Sequence, residues 1–262
     1  MRNPCLLSII TVNLNNLEGL KRTMQSVFEQ TWQEFEYIVI DGGSNDGSKK
    51  YLEENSAKID YWTSEPDNGI YSGMNKGIQV AKGEYLLFLN SGDHFHSKKI
   101  LFEIKDEVIF FDVIYFNIET RKDQVANQIT YPSDLRFSFF INATICHQAI
   151  LLKRKMFKVV GPFDENLRIT SDWKFLILAL FKYNCSYRKI NRTLSVFYLD
   201  GISSKEKNYK KILQERKSVL ATHFDPFLSD YKELKHKEET LSSLRKSRKI
   251  KLLVKLGLLN RF

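Results

Sequence analysis

Short apolar runs alternate with longer amphipathic segments over the first 93 residues of this chain. The runs are rich in β-branched and aromatic residues and predict strands at 6–13, 35–40, 59–63 and 85–89. The segments between them carry apolar residues at helical spacing and predict helices at 17–30, 48–55 and 70–81. Strands and helices that alternate in this way predict an α/β fold, in which helices flank a mostly parallel central sheet.

Polar residues directly follow three of these predicted strands. Asn13 comes after the first strand, Asp41 after the second, and Asp93 closes the segment Asn90-Ser91-Gly92-Asp93 after the fourth. Ligands of open α/β sheets bind in the crevice at the carboxyl ends of the strands, where we expect these three side chains to converge. The alternative for Asp41 and Asp93 is a role in turns, because Asn, Ser, Gly and Asp all favour turns.

The second half of the chain has a less regular pattern. Its predicted elements are a helix at 97–106, one or two strands within 108–117, a loop or hairpin at 119–134, a turn at 161–164, a helix at 173–181 and a strand pair at 186–198. Ser171 or Asp172 precedes the last of these helices and is well placed as its N-cap.

Composition indicates a protein of a reducing compartment. The hydrophobic fraction of 43% is ordinary for a globular protein, and 262 residues suit one large domain with an appendage. The three cysteines are far apart and odd in number, which favours free thiols over a disulfide framework. Residues 1–4 lead into the first strand without a signal-peptide pattern, and no apolar run is long enough to span a membrane. We therefore expect a cytoplasmic protein.

The basic charge of the chain is confined to its C-terminal end. Residues 205–262 hold 16 Lys and Arg against 7 Asp and Glu, which accounts for the whole net charge of +9. We therefore predict a neutral domain over 1–204, with halves at 1–100 and 101–204, and a basic helical extension over 205–262.

The end of this extension, residues 246–262, interleaves leucines with lysines and arginines. That composition is typical of an amphipathic helix that lies on a membrane surface, and we expect a peripheral contact with the inner face of the cytoplasmic membrane. The alternatives are a solvated basic helix and a contact between protein subunits. Nucleic acid is not an expected partner, because the body is neutral and lacks a surface of interleaved aromatic and basic residues.

The glycine-rich segment Asp41–Ser48 follows the second predicted strand. It matches neither the G-x-G-x-x-G fingerprint nor a phosphate-binding loop with its lysine, and its aspartates would repel a phosphate. A carboxylate at this position is better suited to accept hydrogen bonds from a nucleobase or a ribose. A nicotinamide-dependent dehydrogenase is therefore only weakly supported.

Several segments resemble, in their order and spacing, family 2 glycosyltransferases of the GT-A fold. They are Ser8–Asn13, Asp41–Ser48, Ser64–Tyr71, Met74–Gly77, Ala81–Tyr85, Asn90–Asp93, His147-Gln148, Gly161–Glu165 and Thr170–Trp173. The resemblance covers residues 6–200 and implies transfer of a sugar, with inversion, from a nucleotide donor to a hydroxyl group. By analogy, the donor is a UDP-sugar. The acceptor is a saccharide or a polyprenyl-diphosphate-linked oligosaccharide in the synthesis of a cell-surface polysaccharide, such as O-antigen or capsule.

The resemblance also implies which residues bind the donor. Those that fall on nucleobase and ribose positions are Thr11, Asn13 and Asp41. Those that fall near the nucleotide and its diphosphate are Asp67, Asn75, Lys76, Ser91 and Gly92.

Three further roles follow from the same resemblance. Asp93 matches the last acid of an Asp-x-Asp motif that binds Mn²⁺ or Mg²⁺, and such an ion neutralises the charge of a departing diphosphate. Asp172 matches the general base that takes the proton of the acceptor hydroxyl, although a helix cap is the alternative for this residue. His147 and Asp164 fall on the acceptor side.

The chain departs from the family pattern at Ser91, which stands where the motif has its first acid. Only one carboxylate of this segment is then left for the metal, so we expect the ion to arrive with the donor diphosphate. Two other functions stay open. One is a nucleotide-sugar-binding subunit that has lost catalysis. The other is nucleotidyl transfer, which predicts a basic glycine-rich loop after the first strand, whereas Asn13-Leu14-Asn15-Asn16 has no basic residue.

Overall fold

A computed structural model describes residues 5–201 and 204–260 of the chain. The chain divides into two compact units, Met1–Ile212 and Leu213–Phe262. The first unit contains the sheet and all of the predicted site residues, and it is described first.

One mixed sheet forms the centre of the first unit. Its strands within the described residues are β1 (Leu7–Asn13), β2 (Glu36–Asp41), β3 (Tyr61–Ser64), β4 (Tyr85–Phe88), β5 (His94–Phe95), β6 (Val113–Lys122), β7 (Val125–Ile129), β8 (Ile150–Lys153) and β9 (Tyr187–Tyr198). They run in the order β3-β2-β1-β4-β8-β6-β9-β5, and β7 pairs with β6.

Helices connect these strands. Those of the first unit are α1 (Leu17–Phe28), α2 (Ser48–Glu54), α3 (Ile70–Val80), α4 (Ile100–Ile104), α5 (Phe137–Asn142), α6 (Met156–Val159) and α7 (Ser171–Phe181). The alternation predicted for the first 93 residues is confirmed, with element ends shifted by one or two residues.

The four N-terminal crossover strands are parallel, as predicted. Every residue of β1, β2 and β4 is buried, as expected where helices cover both faces of a parallel sheet. The pairing continues past the strand ends, since Gly42 N donates to Asn13 O at 2.9 Å and Ser91 N donates to Val12 O at 3.1 Å. The loops after β2 and β4 are thus fixed beside the end of β1.

The second half of the sheet mixes directions. Strand β8 runs antiparallel to both β4 and β6, while β9 runs parallel to β6. The predicted hairpin near 119–134 is present as β6 and β7. The predicted strand pair at 186–198 is wrong, because β9 is one strand of 12 residues. Its register against β6 is irregular around Asn117, and the exposed residues Asn191 and Arg192 interrupt its apolar alternation.

Two helix boundaries also differ from prediction. Helix α7 begins at Ser171 with Thr170 in the cap position, so neither Ser171 nor Asp172 is the N-cap. Asp172 lies instead in the first turn, where the helix dipole favours a negative charge. The helix predicted at 97–106 is shorter, because α4 spans Ile100–Ile104 and a 3₁₀ turn follows.

The C-terminal helices are α8 (Tyr209–Lys246), most of which belongs to the second unit, and α9 (Arg248–Lys255). Helix α8 has a non-helical residue at Phe224, two residues before Pro226, whose ring and missing N–H disturb the helical hydrogen bonds. The predicted segment 246–262 covers α9, and its last two residues lie outside the described part of the chain. None of the described helices is long and apolar enough to cross a bilayer.

Candidate functional site

The ends of β1 and β2 place Asn13 opposite Asp41 in register. Asn13 Nδ2 donates to Asp41 Oδ1 at 2.7 Å, and both side chains are almost fully buried. Asn13 Oδ1 is buried and has no hydrogen-bond partner among the described residues, which is unusual for an amide oxygen. This pair therefore leaves one acceptor available to a ligand at the edge of the sheet.

The carboxylate of Asp41 is held in its charged form. Burial opposes ionisation, but hydrogen bonds from Ser44, Ser64 and Asn13 outweigh it and lower the pKa of Asp41. Ser64 Oγ donates to Asp41 Oδ2 at 2.7 Å from the end of β3, and Ser44 N donates to the same oxygen at 2.9 Å. Asn13, Asp41 and Ser64, at the ends of β1, β2 and β3, thus form one fixed acceptor-rich corner together with Ser44 in the loop after β2.

Asp67 and Lys76 lie next to this corner. A Cβ atom on Gly42 would come within 3.0 Å of Asp67 Oδ2, so the absence of a side chain at Gly42 makes room for that carboxylate. Asp67 Oδ1 accepts from Gly69 N at 2.9 Å, just before α3. Lys76 Nζ lies 2.8 Å from Glu65 Oε1 and is partly exposed, which leaves it accessible beside the same loop.

Thr11 and Asn75 point into the protein. The hydroxyl of Thr11 is fully buried and donates to Leu89 O at 2.8 Å. The amide of Asn75 donates to Phe163 O at 2.9 Å and accepts from Phe163 N at 3.0 Å. These bonds connect α3 to the half formed by residues 101–204. The polar atoms of both residues are thus engaged within the protein, unlike those of Asn13.

Asp93 lies at the opposite side of the crevice and is 6% exposed. Burial raises the pKa of Asp93 to about 7, although hydrogen bonds from Gln148 and from the backbone of Tyr198 oppose this. Gln148 Nε2 donates to Asp93 Oδ2 at 2.8 Å. A bound cation would favour the ionised form of this carboxyl.

The loop that carries Asp93 is fixed by a buried threonine. Thr23 Oγ1 donates to Asp93 O at 2.6 Å, and Gly92 N lies 3.0 Å from the same hydroxyl. Gly92 has φ +107°, a conformation that favours glycine. Asn16 Nδ2 donates to Ser91 O at 3.1 Å, so Ser91 and Gly92 present their backbone in a single conformation.

A divalent cation fits this site only with outside ligands. No group of three or more His, Cys, Asp or Glu that could hold a metal exists within 5–201 and 204–260. Asp93 offers one carboxylate, and Asn90 Oδ1 is buried without a partner among the same residues. Magnesium and manganese are commonly held by one or two carboxylates together with phosphates and water. These residues fit a cation that takes most of its ligands from a bound diphosphate.

In the half formed by residues 101–204, Asp172 accepts hydrogen bonds from three directions. His147 Nδ1 lies 3.1 Å from Asp172 Oδ2, and Tyr71 Oη lies 2.9 Å from Oδ1. The backbone of Trp173 also donates to Oδ1 at 2.9 Å. Burial disfavours the charged carboxylate, but the hydrogen bonds from His147, Trp173 and Tyr71 outweigh it and lower the pKa of Asp172.

His147 joins Asp172 to the loop after β4. Its Nε2 atom lies 3.0 Å from Asn90 Nδ2, so a continuous polar chain runs from Asn90 through His147 and Asp172 to Tyr71. The neighbouring Gln148 contacts Asp93. The segment 147–148 therefore links the acidic residue of the donor loop to the acidic residue of α7.

Asp164 stands apart from this chain. Its carboxylate pairs with Lys174 Nζ at 2.6 Å and accepts from Asn166 N at 3.0 Å, which is a turn with an ion pair.

Sequence reasoning missed Thr23, Tyr71, Gln148 and the amide of Asn90 as members of the site. Asn90 and Gln148 adjoin predicted site residues and could have been found that way, whereas Thr23 and Tyr71 read as ordinary positions on helices.

A cavity of about 810 Å³ lies elsewhere. That cavity opens beside the starts of β1 and β2, near Trp32, Phe35 and Asp60. It is at the opposite end of the strands from Asn13, Asp41 and Asp93. We place the functional site at the carboxyl ends, where Asn13 Oδ1 and Asn90 Oδ1 are buried without a partner among the described residues.

Comparison with known proteins identifies the family of this chain. Residues 8–161 match the family Glycosyl transferase family 2. An uncharacterized glycosyltransferase of Mycobacterium tuberculosis is 32% identical over 211 residues, which cover 78% of this chain and 79% of that protein. A PGL/p-HBAD biosynthesis glycosyltransferase of Mycobacterium bovis is 30% identical over 178 residues, or 66% of this chain and 68% of that protein.

Solved structures show the same fold at low identity. S. aureus TarS 1–349 in complex with UDP has a TM-score of 0.60 at 18% identity, over 84% of this chain and 72% of that one. The mannosyltransferase PcManGT from Pyrobaculum calidifontis, in complex with GDP-Man and Mn²⁺, has a TM-score of 0.58 at 14% identity, over 86% and 64%. The predicted α/β fold and family are thus confirmed: the chain belongs to glycosyl transferase family 2 and is a glycosyltransferase of the GT-A fold.

Proposed function

We propose that this enzyme transfers a sugar from a nucleoside-diphosphate donor to an acceptor hydroxyl, with inversion at the anomeric carbon. The observation that carries the proposal is the arrangement of three aspartates along one crevice. Asp41 lies at the end of β2, Asp93 follows β4, and Asp172 is linked to the β4 loop through His147 and Asn90. A donor-binding corner and an acceptor-side base then flank the place where the sugar would lie.

The donor site comprises the corner formed by Asn13 and Asp41, with Ser44 and Ser64 fixing the carboxylate. A charged carboxylate and an unpartnered amide oxygen suit the N–H group of a uracil or the hydroxyls of a ribose. Asp67, Lys76 and the backbone of Ser91 and Gly92 would lie along the nucleotide and its diphosphate. UDP is our proposed nucleotide, and TarS, which was solved with UDP and with UDP-GlcNAc, supports that choice.

Asp93 would hold a divalent cation, Mn²⁺ or Mg²⁺, together with the diphosphate. The bound ion supplies charge neutralisation for the departing nucleoside diphosphate. Gln148 orients the carboxylate of Asp93, and Thr23 fixes the loop behind it. PcManGT, a distant structural relative, was solved with Mn²⁺.

The reaction proposed is one in-line displacement. The acceptor oxygen forms a bond to the anomeric carbon, the bond from that carbon to the diphosphate oxygen breaks, and the acceptor proton moves to the carboxylate of Asp172. A single displacement inverts the anomeric centre. The lowered pKa of Asp172 keeps it ionised and ready to accept a proton at neutral pH.

The proposed acceptor is a saccharide or a polyprenyl-diphosphate-linked oligosaccharide in cell-surface polysaccharide synthesis. The mycobacterial relative named for PGL/p-HBAD biosynthesis supports an acceptor of glycolipid type. The proposed division of labour is catalysis by residues 1–204 and attachment by 205–262. In α9, Lys249, Lys251 and Lys255 accompany the exposed Leu252, and the exposed Leu256 caps the helix, a combination that suits an anionic membrane surface.

A nucleotide-sugar-binding subunit without catalysis is the second candidate. The single carboxylate available to a metal favours it, because two acids are the family's pattern. The hydrogen-bonded Asp172 favours catalysis, because a binding subunit has no need of an oriented base. Nucleotidyl transfer has no comparable support, since the loop after β1 lacks a basic residue.

Replacing Asp172 by Asn should abolish transfer while leaving donor binding intact. The amide cannot accept the acceptor proton, so we expect kcat to fall by about 10²–10⁴-fold, the usual contribution of a general base. Mass spectrometry of the product measures turnover, and calorimetry measures UDP affinity. Asp164→Asn, on a carboxylate of the same half that already pairs with Lys174, is the matched control. Near-normal turnover of Asp172→Asn would show that another group is the base.

Replacing Asp93 by Asn should change how the stability of the metal-free protein depends on pH. The folded-state pKa of about 7 lies above the usual 3.8, so the wild type loses stability as pH rises from 4 to 7. The Asn variant lacks this loss. Relative to wild type it should gain roughly 1–3 kcal/mol between pH 5 and pH 8.

Urea unfolding of both proteins at the two pH values, with EDTA present, measures this gain. Asp164→Asn is again the control: burial opposes the ionisation of Asp164, but hydrogen bonds from Lys174 and Asn166 outweigh it and lower its pKa, so this carboxyl does not titrate between the two pH values. A stability difference between wild type and Asp93→Asn that does not change with pH would contradict the raised pKa.

Reversing three charges in α9 should weaken binding to anionic membranes. Lys249, Lys251 and Lys255 changed together to Glu should lower the affinity for vesicles of 70% phosphatidylcholine and 30% phosphatidylglycerol by at least tenfold. Each lysine near such a surface contributes about 1 kcal/mol.

The matched control changes Lys232, Lys235 and Lys237 of α8 to Glu, which alters the net charge by the same amount. Vesicle co-sedimentation measures both variants. Equal losses would assign the binding to net charge alone, and no loss in either variant would remove the membrane role of α9.

A further inference from the structure

The carboxylate of Asp172 has few free positions left for hydrogen bonding. An ionised carboxylate offers about four acceptor positions, two on each oxygen. Tyr71 Oη and Trp173 N both lie 2.9 Å from Oδ1, while His147 Nδ1 lies 3.1 Å from Oδ2. The surroundings thus fill Oδ1 and leave one position on Oδ2.

We propose that His147 and Tyr71 are positioning residues, which lock Asp172 so that the remaining lone pair of Oδ2 receives the acceptor proton. This inference rests on the proposed function, because it takes Asp172 as the base. His147 comes from the loop before β8, Tyr71 from α3 and Asp172 from α7, so three separate segments fix the carboxylate. A base held from three sides does not need to reorient when the acceptor arrives.

The ring of His147 has a defined protonation pattern in this arrangement. An ionised carboxylate only accepts hydrogen bonds, so the nitrogen that faces Asp172 must carry a hydrogen. Nε2 then has the lone pair, and the amide nitrogen of Asn90 donates to it at 3.0 Å. His147 is therefore a neutral Nδ1–H imidazole whose two nitrogens are both in use. It orients the base and has no nitrogen left for the acceptor proton.

Tyr71 supports the other oxygen. Its hydroxyl lies 2.7 Å from Ile169 O and 2.9 Å from Asp172 Oδ1, so one proton serves both oxygens. Burial, followed by the charge of Asp172, raises the pKa of Tyr71 well above its usual value, which keeps the hydroxyl protonated as a donor. Tyr71 lies in the first turn of α3, the helix that also carries Lys76.

The contact between His147 and Asn90 also connects Asp172 to the loop after β4. Asn90 precedes Ser91, Gly92 and Asp93, the loop proposed to meet the diphosphate. The side chains of His147 and Asp172 are each 18% exposed, so the chain from that loop to the base is largely shielded from solvent. The position of the donor loop and the orientation of the base are therefore coupled through one imidazole ring.

Two substitutions of His147 test the roles of its two ring nitrogens separately. Asn places an N–H group where Nδ1 stands, and Gln places one near Nε2. We expect His147→Asn to keep kcat within about fivefold of wild type, because it still donates to Asp172. His147→Gln should lower kcat by 10–100-fold, with the KM for the donor and the UDP affinity unchanged within twofold. Tyr71→Phe should lower kcat by a smaller factor, and His96→Gln, on an exposed histidine, should not change it.

Equal losses in His147→Asn and His147→Gln would overturn the positioning role and make the ring itself the proton acceptor. Full activity in both variants would overturn any role of His147 in the reaction.

Nitrogen-15 NMR of the histidine rings tests the hydrogen bond between His147 and Asp172 without an activity measurement. The signal missing in His147→Asn identifies His147 in the wild-type spectrum. We expect the neutral Nδ1–H form in wild type, and a shift towards the Nε2–H form in Asp172→Asn. An Nε2–H ring in wild type would overturn the inference, whatever the activity. An Nδ1–H ring in a protein that transfers sugar from no UDP-, GDP- or CMP-linked donor would overturn the proposed function instead.

Discussion

The pairing of β1 with β2 is the constraint on which the crevice depends. Their register sets Asn13 opposite Asp41, and the backbone hydrogen bonds continue one residue further to Gly42. On the other side of β1, the bond from Ser91 N to Val12 O fixes the loop that leads to Asp93. A slip of one residue would turn these side chains to the opposite face of the sheet, and the crevice would lose them.

The three buried acids of this crevice differ in the direction in which their pKa values are shifted. Burial disfavours the charge of each of Asp41, Asp93 and Asp172. Asp41 and Asp172 receive enough hydrogen bonds to lower their pKa values in spite of it. Asp93 receives fewer, and its pKa rises to about 7. Two carboxylates are thus kept ionised by the protein itself, whereas a bound cation would favour ionisation of the third.

Much of this arrangement could be predicted from the sequence, because strand ends in a parallel sheet obey a general rule. The positions of Asn13, Asp41 and Asp93 follow from alternating strands and helices alone. The directions of side chains do not follow from that rule. Thr11 lies on the correct strand but points into the core, and Asn75 lies on the correct helix but binds the backbone of Phe163.

Contacts between distant segments were the least predictable part. His147, Asp172 and Tyr71 come from separate elements, and their local sequence does not predict that their side chains are in contact. The sequence pattern also did not predict β9 as a single strand, because its irregular register against β6 breaks the alternation of apolar and polar residues by which a strand is recognised. The predicted role of Asp172 as a base came from the family resemblance and stays a prediction, while only the structure reveals its contacts with His147 and Tyr71.

Calorimetric titration of UDP with Mn²⁺ into wild type and Asp41→Asn tests most directly whether the ends of β1 and β2 form a nucleotide site. The wild type should bind, and the variant should bind at least tenfold more weakly, because a hydrogen bond to a charged group contributes about 1.5–3 kcal/mol. Asp164→Asn, which lies outside the polar chain of the site, should bind like wild type. Equal affinity of wild type and Asp41→Asn, or no binding of UDP, GDP or CMP to the wild type, would contradict a nucleotide site in this crevice.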